Sequence, residues 1–389
     1  MHQGKYVFSQ IMSFVDHNVF LACVKRYKGD YKVKNFTCWK QFLCMAFGQL
    51  THRESLSDTT ICLTANAEKL YHAGIGKSFS KSTLSKANEN RDWRIYGDLG
   101  MLLIAEAKKL YINENELEVT LTNNVFAIDA TTIDVCLSLM PWAKFRKAKG
   151  AVKVHTMLDL KTAIPHLVCI TTGKVHELTA LDTMPLEPDS FYVMDRGYID
   201  FPRLYRMHLG KSYFITRTRD RLRLTRHQSF PCDKTLGIRS DQSVKPTLFY
   251  AKKNYPEKMR KIKYYDSETK KELTFLTNNF TLKATEIAQL YKHRWKIELF
   301  FKWIKQHLKI NTFWGQSPNA VKTQIWIAIS IYTLIAIVKK KLGLKQSLYE
   351  ILQIVSICIF EKTQINQLFA DTQLQYFKEL DHNQLRMFE

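Results

Sequence analysis

Paired cysteines are missing from this chain. Cys23, Cys38, Cys44, Cys62, Cys136, Cys169, Cys232 and Cys358 are scattered, and no two form a C-x2-C unit. That spacing argues against a zinc site and against a disulfide framework, and fits a reducing compartment. Long apolar runs are missing too. The longest, Ile325 to Val338, has 14 residues and includes Ser330, Tyr332 and Thr333. A bilayer span needs about 20 residues, so a buried core helix is expected and no membrane partner. The opening MHQGKYVFSQ has no apolar stretch of the secretory kind, and neither repeats nor low-complexity tracts occur. A soluble, cytoplasmic chain is expected. Acidic charge is the scarce sign: 36 Asp and Glu stand against 58 Lys and Arg, a net charge of +22. Self-repulsion of that size is a cost unless a polyanion offsets it. Nucleic acid is the expected partner. No basic amphipathic segment with a lipid-facing side supports a membrane surface instead.

What is present is a chain of 389 residues, 46% hydrophobic and 12% aromatic. That is enough for a sizeable core and for two to three domains. Residues 1–118 read as helical, with apolar residues three and four apart. Near the end of this region lies SFSKSTLSKANENRDWRIYG. Ser80 or Ser82 can cap a helix there, carrying Lys81, Lys86, Asn88, Asn90, Arg91 and Arg94. Asn and Arg are side chains that read base edges. A helix-turn-helix-like element and a solvated polar helix both fit.

From about residue 119 the character changes to short β-rich runs, VFAIDATTIDV, KVHTMLDL, IPHLVCITT, SFYVMDRGY and SYFITRT, with two helical pieces between the later ones. The order strand-strand-strand-helix-strand-helix-strand predicts a mixed α/β sheet. Residues 217–275 form a basic, β-rich block with 16 Lys or Arg against 7 Asp or Glu. In it Arg217, Arg219, Arg221 and Arg223 alternate at strand period, predicting one basic face of a β-ribbon. The expected layout is a helical domain 1–118, a core of 119–216 with 276–312, the insertion 217–275, and a helical region 313–389.

The most informative pattern follows the insertion. Tyr291, Arg294, Glu298 and Lys305 form Y-x2-R-x3-E-x6-K. On one α-helix these side chains fall within an arc of about 60°. Leu290, Ile297, Phe301, Ile304 and Leu308 make an adjacent apolar stripe that anchors the helix. Asp129 follows the apolar run Val125 to Ile128, and Asp195 follows Phe191 to Met194, both placed at strand ends. Asp134 reads as structural, and Asp159, Asp182 and Asp200, in turn-like contexts, as solvated residues or caps. His176 and Glu177 follow a Gly-Lys turn and read as surface residues, with an approach to the metals from behind the ligands as the alternative, and His155 reads as a satisfied strand histidine. Three carboxylates gathered in one site repel, by about 4 kcal/mol for a pair ~4 Å apart at an effective dielectric of 20. Two Mg²⁺ ions, with Mn²⁺ as substitute, remove the problem and suit in-line phosphoryl transfer.

Asp129, Asp195 within DRGYIDF, and Glu298 within the Tyr-Arg-Glu-Lys spacing resemble the DDE transposases of the insertion-sequence-4 family, over roughly residues 120–310. The resemblance implies an RNase H-like catalytic core interrupted by a β-rich insertion. It implies cleavage at the ends of a mobile element and joining of the freed 3′-hydroxyls to target DNA. It also implies that Asp129, Asp195 and Glu298 are the catalytic metal ligands, and that Tyr291, Arg294 and Lys305 contact phosphates of double-stranded DNA. A homodimer on DNA, associated with a bacterial nucleoid, goes with it. Members are thought to excise through a hairpin, with an insertion aromatic holding a flipped base. Here residues 217–275 contain no Trp, leaving Phe230, Phe249, Tyr250, Tyr255, Tyr264 or Tyr265 for that task. Two rival readings remain: an RNase H-like nuclease that does not integrate, and a transposase-derived DNA-binding protein without chemistry.

Overall fold

A computed structural model of the chain describes residues 4–218, 222–308, 310 and 312–370. The chain divides into two compact units: one takes the segments up to Ile112 and from Lys302 onward, the other Asn113–Phe301. The first unit opens with α1 (Val7–Met12), α2 (His17–Arg26), α3 (Cys38–Leu50), α4 (Leu56–Ala65), α5 (Lys81–Asn90) and α6 (Arg94–Leu110). Side-chain caps set most of these starts. Asp16 accepts the N–H groups of Asn18 and Val19, and Thr37, Ser55 and Ser80 accept those of Lys40, Asp58 and Thr83.

The second unit holds β1 (Val125–Val135), β2 (Lys144–Arg146), β3 (Lys149–Asp159), β4 (Pro165–Thr172), α7 (Glu177–Asp182), β5 (Phe191–Met194), α8 (Phe201–Leu209) and β6 (Tyr213–Arg217). Apart from the short β2, this is the element order expected. Then come β7 (Leu224–Phe230), β8 (Ile238–Pro246), α9 (Phe249–Asn254), β9 (Met259–Asp266), β10 (Lys271–Thr277), α10 (Ala284–Lys292) and α11 (Trp295–Gln306), whose last turn passes beyond Phe301. The chain returns to the first unit with α12 (Pro318–Leu342) and α13 (Leu348–Cys358).

All ten strands form one sheet, ordered β2-β3-β1-β5-β6-β10-β9-β8-β7, with β4 also on β3. β1, β5 and β6 run parallel, and the other pairings are antiparallel. The basic segment therefore extends the central sheet beyond β6. Alternation decides the faces. Phe126 and Ile128 pack with Tyr192, Met194 and Phe214 against Leu204 and Met207 of α8. Val125, Ala127 and Asp129, with Phe191, Val193 and Asp195, belong to the other face. Asp200 caps α8 and Asp182 binds Arg203 and Arg206, while Asp159 accepts the N–H of Lys161 in a turn. Asp200 is thus a cap and Asp159 a turn residue, as expected, whereas Asp182 is neither simply solvated nor a cap but pairs with two arginines.

Among the described residues α12 is the one helix long and apolar enough to cross a bilayer, and 94% of its most apolar window is buried. It begins at the Ser317 cap and ends at Gly343, whose φ of +64° is the left-handed turn glycine accepts without strain. It packs on α6 at Gly100, where an added Cβ would lie 2.8 Å from the Trp326 ring.

Candidate active site

The parallel pairing of β1 with β5 runs from Val125–Phe191 to Ile128–Met194, and that of β5 with β6 ends at Met194–Thr216. The residues that follow these last pairs in the chain are Asp129 and Arg217, still on β1 and β6, and Asp195, just past the end of β5. They form a row on one face, about 4.8 Å from strand to strand. Arg217 in turn faces Phe275 of β10. One placement needs correcting. Asp129 does not end a strand: β1 continues to Val135, with Asp129 opposite Thr156 of β3. What ends at Ile128 is the parallel pairing, because β5 stops at Met194 and Asp195 leads into the turn Arg196–Tyr198. Asp134 is exposed, on the opposite side of β1 from Asp129.

The four-residue signature is not on one helix. α10 stops at Lys292 and α11 restarts at Trp295, with His293 and Arg294 in a turn. Across the break the i→i−4 ladder tightens to i→i−3. Arg294, Lys296 and Ile297 donate to the carbonyls of Tyr291, His293 and Arg294 at 3.1, 3.0 and 3.2 Å. The cause is tertiary. Leu290, Ile297 and Ile304 are fully buried as expected, and Lys296 is tied to Glu116 at 2.8 Å and to the Leu160 carbonyl at 3.1 Å. Arg294 is drawn inward.

Its guanidinium is the hub of the site. Nη2 donates to Glu298 Oε1 at 2.6 Å, and Nη1 lies 3.9 Å from Asp129 Oδ2. The side chain is only 18% exposed, against 57% for Glu298. The Tyr291 ring lies 5.8 Å from the guanidinium carbon and packs on Phe275 at 5.0 Å. The Tyr291 hydroxyl and Arg294 Nε are buried without a hydrogen-bond partner. Burial pushes the Tyr291 phenol up to about 12, with Arg294 opposing and Asp195 adding to the rise. Burial also lifts Asp129 to about 6, against the pull of the Ala130 N–H and Arg294.

The expected gathering of three carboxylates is corrected here: Asp129 and Asp195 are neighbours, but Glu298 is turned onto Arg294. Among the described residues no three His, Cys, Asp or Glu side chains stand together as a cation site. The donor chemistry nevertheless suits a hard cation. Two aspartates sit on adjacent positions of the sheet, and burial raises one of them, Asp129, although Arg294 stands beside it.

A family model described as a transposase DDE domain matches residues 121–334, more than half of the chain and all three carboxylates. The chain belongs to the DDE transposases. A model of a domain of unknown function, DUF4372, matches residues 3–76. A putative transposase of Sinorhizobium fredii is 29% identical over 287 residues, covering 72% of this chain and 78% of its own length. A probable transposase for an insertion sequence element of Geobacillus stearothermophilus is 26% identical over 66% of this chain and 67% of its own. A putative insertion-sequence transposase of Synechocystis is 27% identical over 67% and 72%.

Within this DDE transposase several further expectations shift. Arg217 and Arg223 do not share a ribbon face, because Arg217 closes β6 and Arg223 lies before β7; Arg219 and Arg221 fall outside the described residues. Arg217 instead joins the carboxylate row, which strand period alone did not reveal. Lys305 follows Glu298 by two turns of α11, in the segment grouped with the helical unit. Glu177 is not a bystander. It adds to the rise of Asp129 and of the buried Tyr198 phenol, and it meets Lys153 at 3.4 Å. A carboxylate directly after the turn that closes β4 was the available signal. On α5, Ser80 caps as expected, but Asn88 is 2% exposed and bonded to Gln41. Arg91 holds Gln41 and the Phe36 carbonyl, and Arg94 is paired with Asp92. Those three are not available as base readers.

Proposed function

We propose that this chain is the transposase of an insertion sequence, cleaving the element's ends and joining the 3′-hydroxyls to target DNA by phosphoryl transfer. The observation that carries the reading is the row Asp129–Asp195–Arg217 with Arg294 holding Glu298 beside it. The strand order β4-β3-β1-β5-β6, with the first aspartate on its middle strand, supports an RNase H-like core.

Asp129 and Asp195 would hold the metal, with Glu298 completing the set once released from Arg294. Two Mg²⁺ ions, or Mn²⁺, would supply Lewis-acid polarisation and an activated nucleophile. Arg294 would then be free to fork onto a phosphate, where a planar guanidinium gives two parallel hydrogen bonds. The unpartnered Tyr291 hydroxyl would donate to the same backbone, and Lys305 would add a point charge. For a flipped base, Phe249 and Tyr250 are suited to stacking, at 75% and 78% exposed, whereas Tyr255 is fully buried. The domain reading is a DNA-binding region 1–118, a core of 119–216 and 276–312, the insertion 217–275 and helices in 313–389. Holding two element ends at once calls for a homodimer on DNA.

The test is strand cleavage and joining on the element's own flanking ends with Mg²⁺ or Mn²⁺, comparing wild type with Asp195→Asn and Glu298→Gln. Nicking and joining, lost in both variants while DNA binding persists, is the expected result. Cleavage without joining would make the protein a nuclease. Binding with no cleavage would make it a DNA-binding relic.

A further inference from the structure

Between α2 and α3, residues 25–40 carry six Lys or Arg against one Asp. The loop and α5 enclose an open groove of about 730 Å³, lined by Lys28, Tyr31, Lys34, Lys86 and Asn90. All five of these side chains are exposed, Tyr31 by 71%. Among the described residues, no carboxylate lies within ion-pair distance of Lys28, Lys32, Lys34, Lys81 or Lys86. Glu89 on α5 is exposed, and the three aspartates nearby are engaged elsewhere. Asp30 accepts the N–H of Cys38 at 2.7 Å, Asp98 pairs with Arg26, and Asp92 pairs with Arg94 at 2.6 Å. The groove walls are braced from within. Arg91 bonds Gln41 at 2.9 Å and holds the Phe36 carbonyl, with its guanidinium 5.5 Å from the Phe36 ring. Asn319 of α12 donates to the Asn88 carbonyl at 2.9 Å, fixing the end of α5. The result is a rigid concave surface with uncompensated positive charge and an aromatic at its rim.

We infer that this groove grips the sugar–phosphate backbone of duplex DNA without reading its sequence. The inference deepens the transposase reading and rests on it. It locates a DNA surface in the helical unit, partly within the region matched as a domain of unknown function. Of the side chains suited to base edges, Asn88 and Arg91 are tied up by Gln41 and the Phe36 carbonyl, and Asn90 stays exposed at the groove, beside the outward lysines that suit phosphates. Phosphate contacts position a protein on DNA, and base contacts specify. The groove therefore contributes affinity equally on any duplex.

The experiment is DNA binding by the full chain across a salt series, for Lys28→Gln/Lys34→Gln/Lys86→Gln against wild type, on an element-end duplex and an unrelated duplex. Each lost phosphate contact lowers the slope of log K against log salt by about 0.9. A slope shallower by roughly 3, with equal loss on both duplexes, is expected. The corresponding triple Arg variant restores the slope, and an unchanged thermal melt shows that the fold is intact. An unchanged slope in the Gln variant while wild type binds would overturn the groove alone. Loss confined to the element end would replace backbone gripping by sequence reading. No salt-dependent DNA binding by wild type would sink the transposase reading itself.

Discussion

At the scale of single residues, Arg294 is the balance point of the site. It neutralises Glu298 at 2.6 Å and stands 3.9 Å from Asp129, so it competes with any cation for the same carboxylates. Arg294→Gln should therefore bind Mn²⁺ more tightly in the absence of DNA, by roughly tenfold or more, since ~1.4 kcal/mol is a modest fraction of a charge pair at this distance. Calorimetric titration of the DNA-free protein checks this, and equal or weaker binding would refute the competition. His155 gives a second prediction. Its Nε2 meets Thr171 Oγ1 at 2.8 Å, its Nδ1 is buried unpartnered, and burial with Lys153 nearby holds the ring down to about 4. The unfolded value is about 6.5, so the unfolded chain binds more protons between the two. Stability is then full above pH ~6.5 and falls as pH drops toward 4, by up to about 3 kcal/mol. His155→Gln should flatten that part of the stability curve in denaturant titrations. The residue identities in this site were legible in the sequence, because Asp129, Asp195 and the Tyr-Arg-Glu-Lys spacing are local patterns. The partner of Glu298 was not, because it depends on helix placement, and the approach of Glu177 was legible only as an alternative, because strand register decides it.

Elements show the same division. The apolar stripe on Leu290, Ile297 and Ile304 was readable from period alone and is fully buried. The turn at His293–Arg294 was not, since neither residue is a helix breaker. There the anchoring of Lys296 and the inward pull on Arg294 override a local preference worth only tenths of a kcal/mol per residue. Ser80 was readable as a cap, but the burial of Asn88 on the same helix was not. The α6–α12 contact supplies a test of close packing. Gly100→Ala gains up to about 1 kcal/mol of helix propensity. It also places a Cβ 2.8 Å from the Trp326 ring, which is itself only 5% exposed. Overpacking costs typically ~1–3 kcal/mol, so the net effect should be a loss of about 1 kcal/mol. A thermal melt should show a lower Tm, and a rise would mean that the ring moves aside freely.

For the whole molecule, the charge of +22 sets the expected response to salt. If six to ten phosphates are contacted, affinity for unrelated DNA should fall by about 10³–10⁵ between roughly 50 and 200 mM salt. A flat response in a binding titration would mean that the excess charge serves another purpose. The class of sheet and its order of elements were legible in the β-rich runs. That residues 217–275 continue the same sheet was not, because strand pairing across such a distance leaves no local trace. This continuity has a metric consequence. From β5, which leads into Asp195, five strand steps lead through β6, β10, β9 and β8 to the edge strand β7. At about 4.8 Å per step they span roughly 24 Å, the rise of about seven base pairs at ~3.4 Å each. The sheet is thus a ruler, and a duplex laid across its strands would stay in touch with protein for about two-thirds of a helical turn beyond the carboxylates.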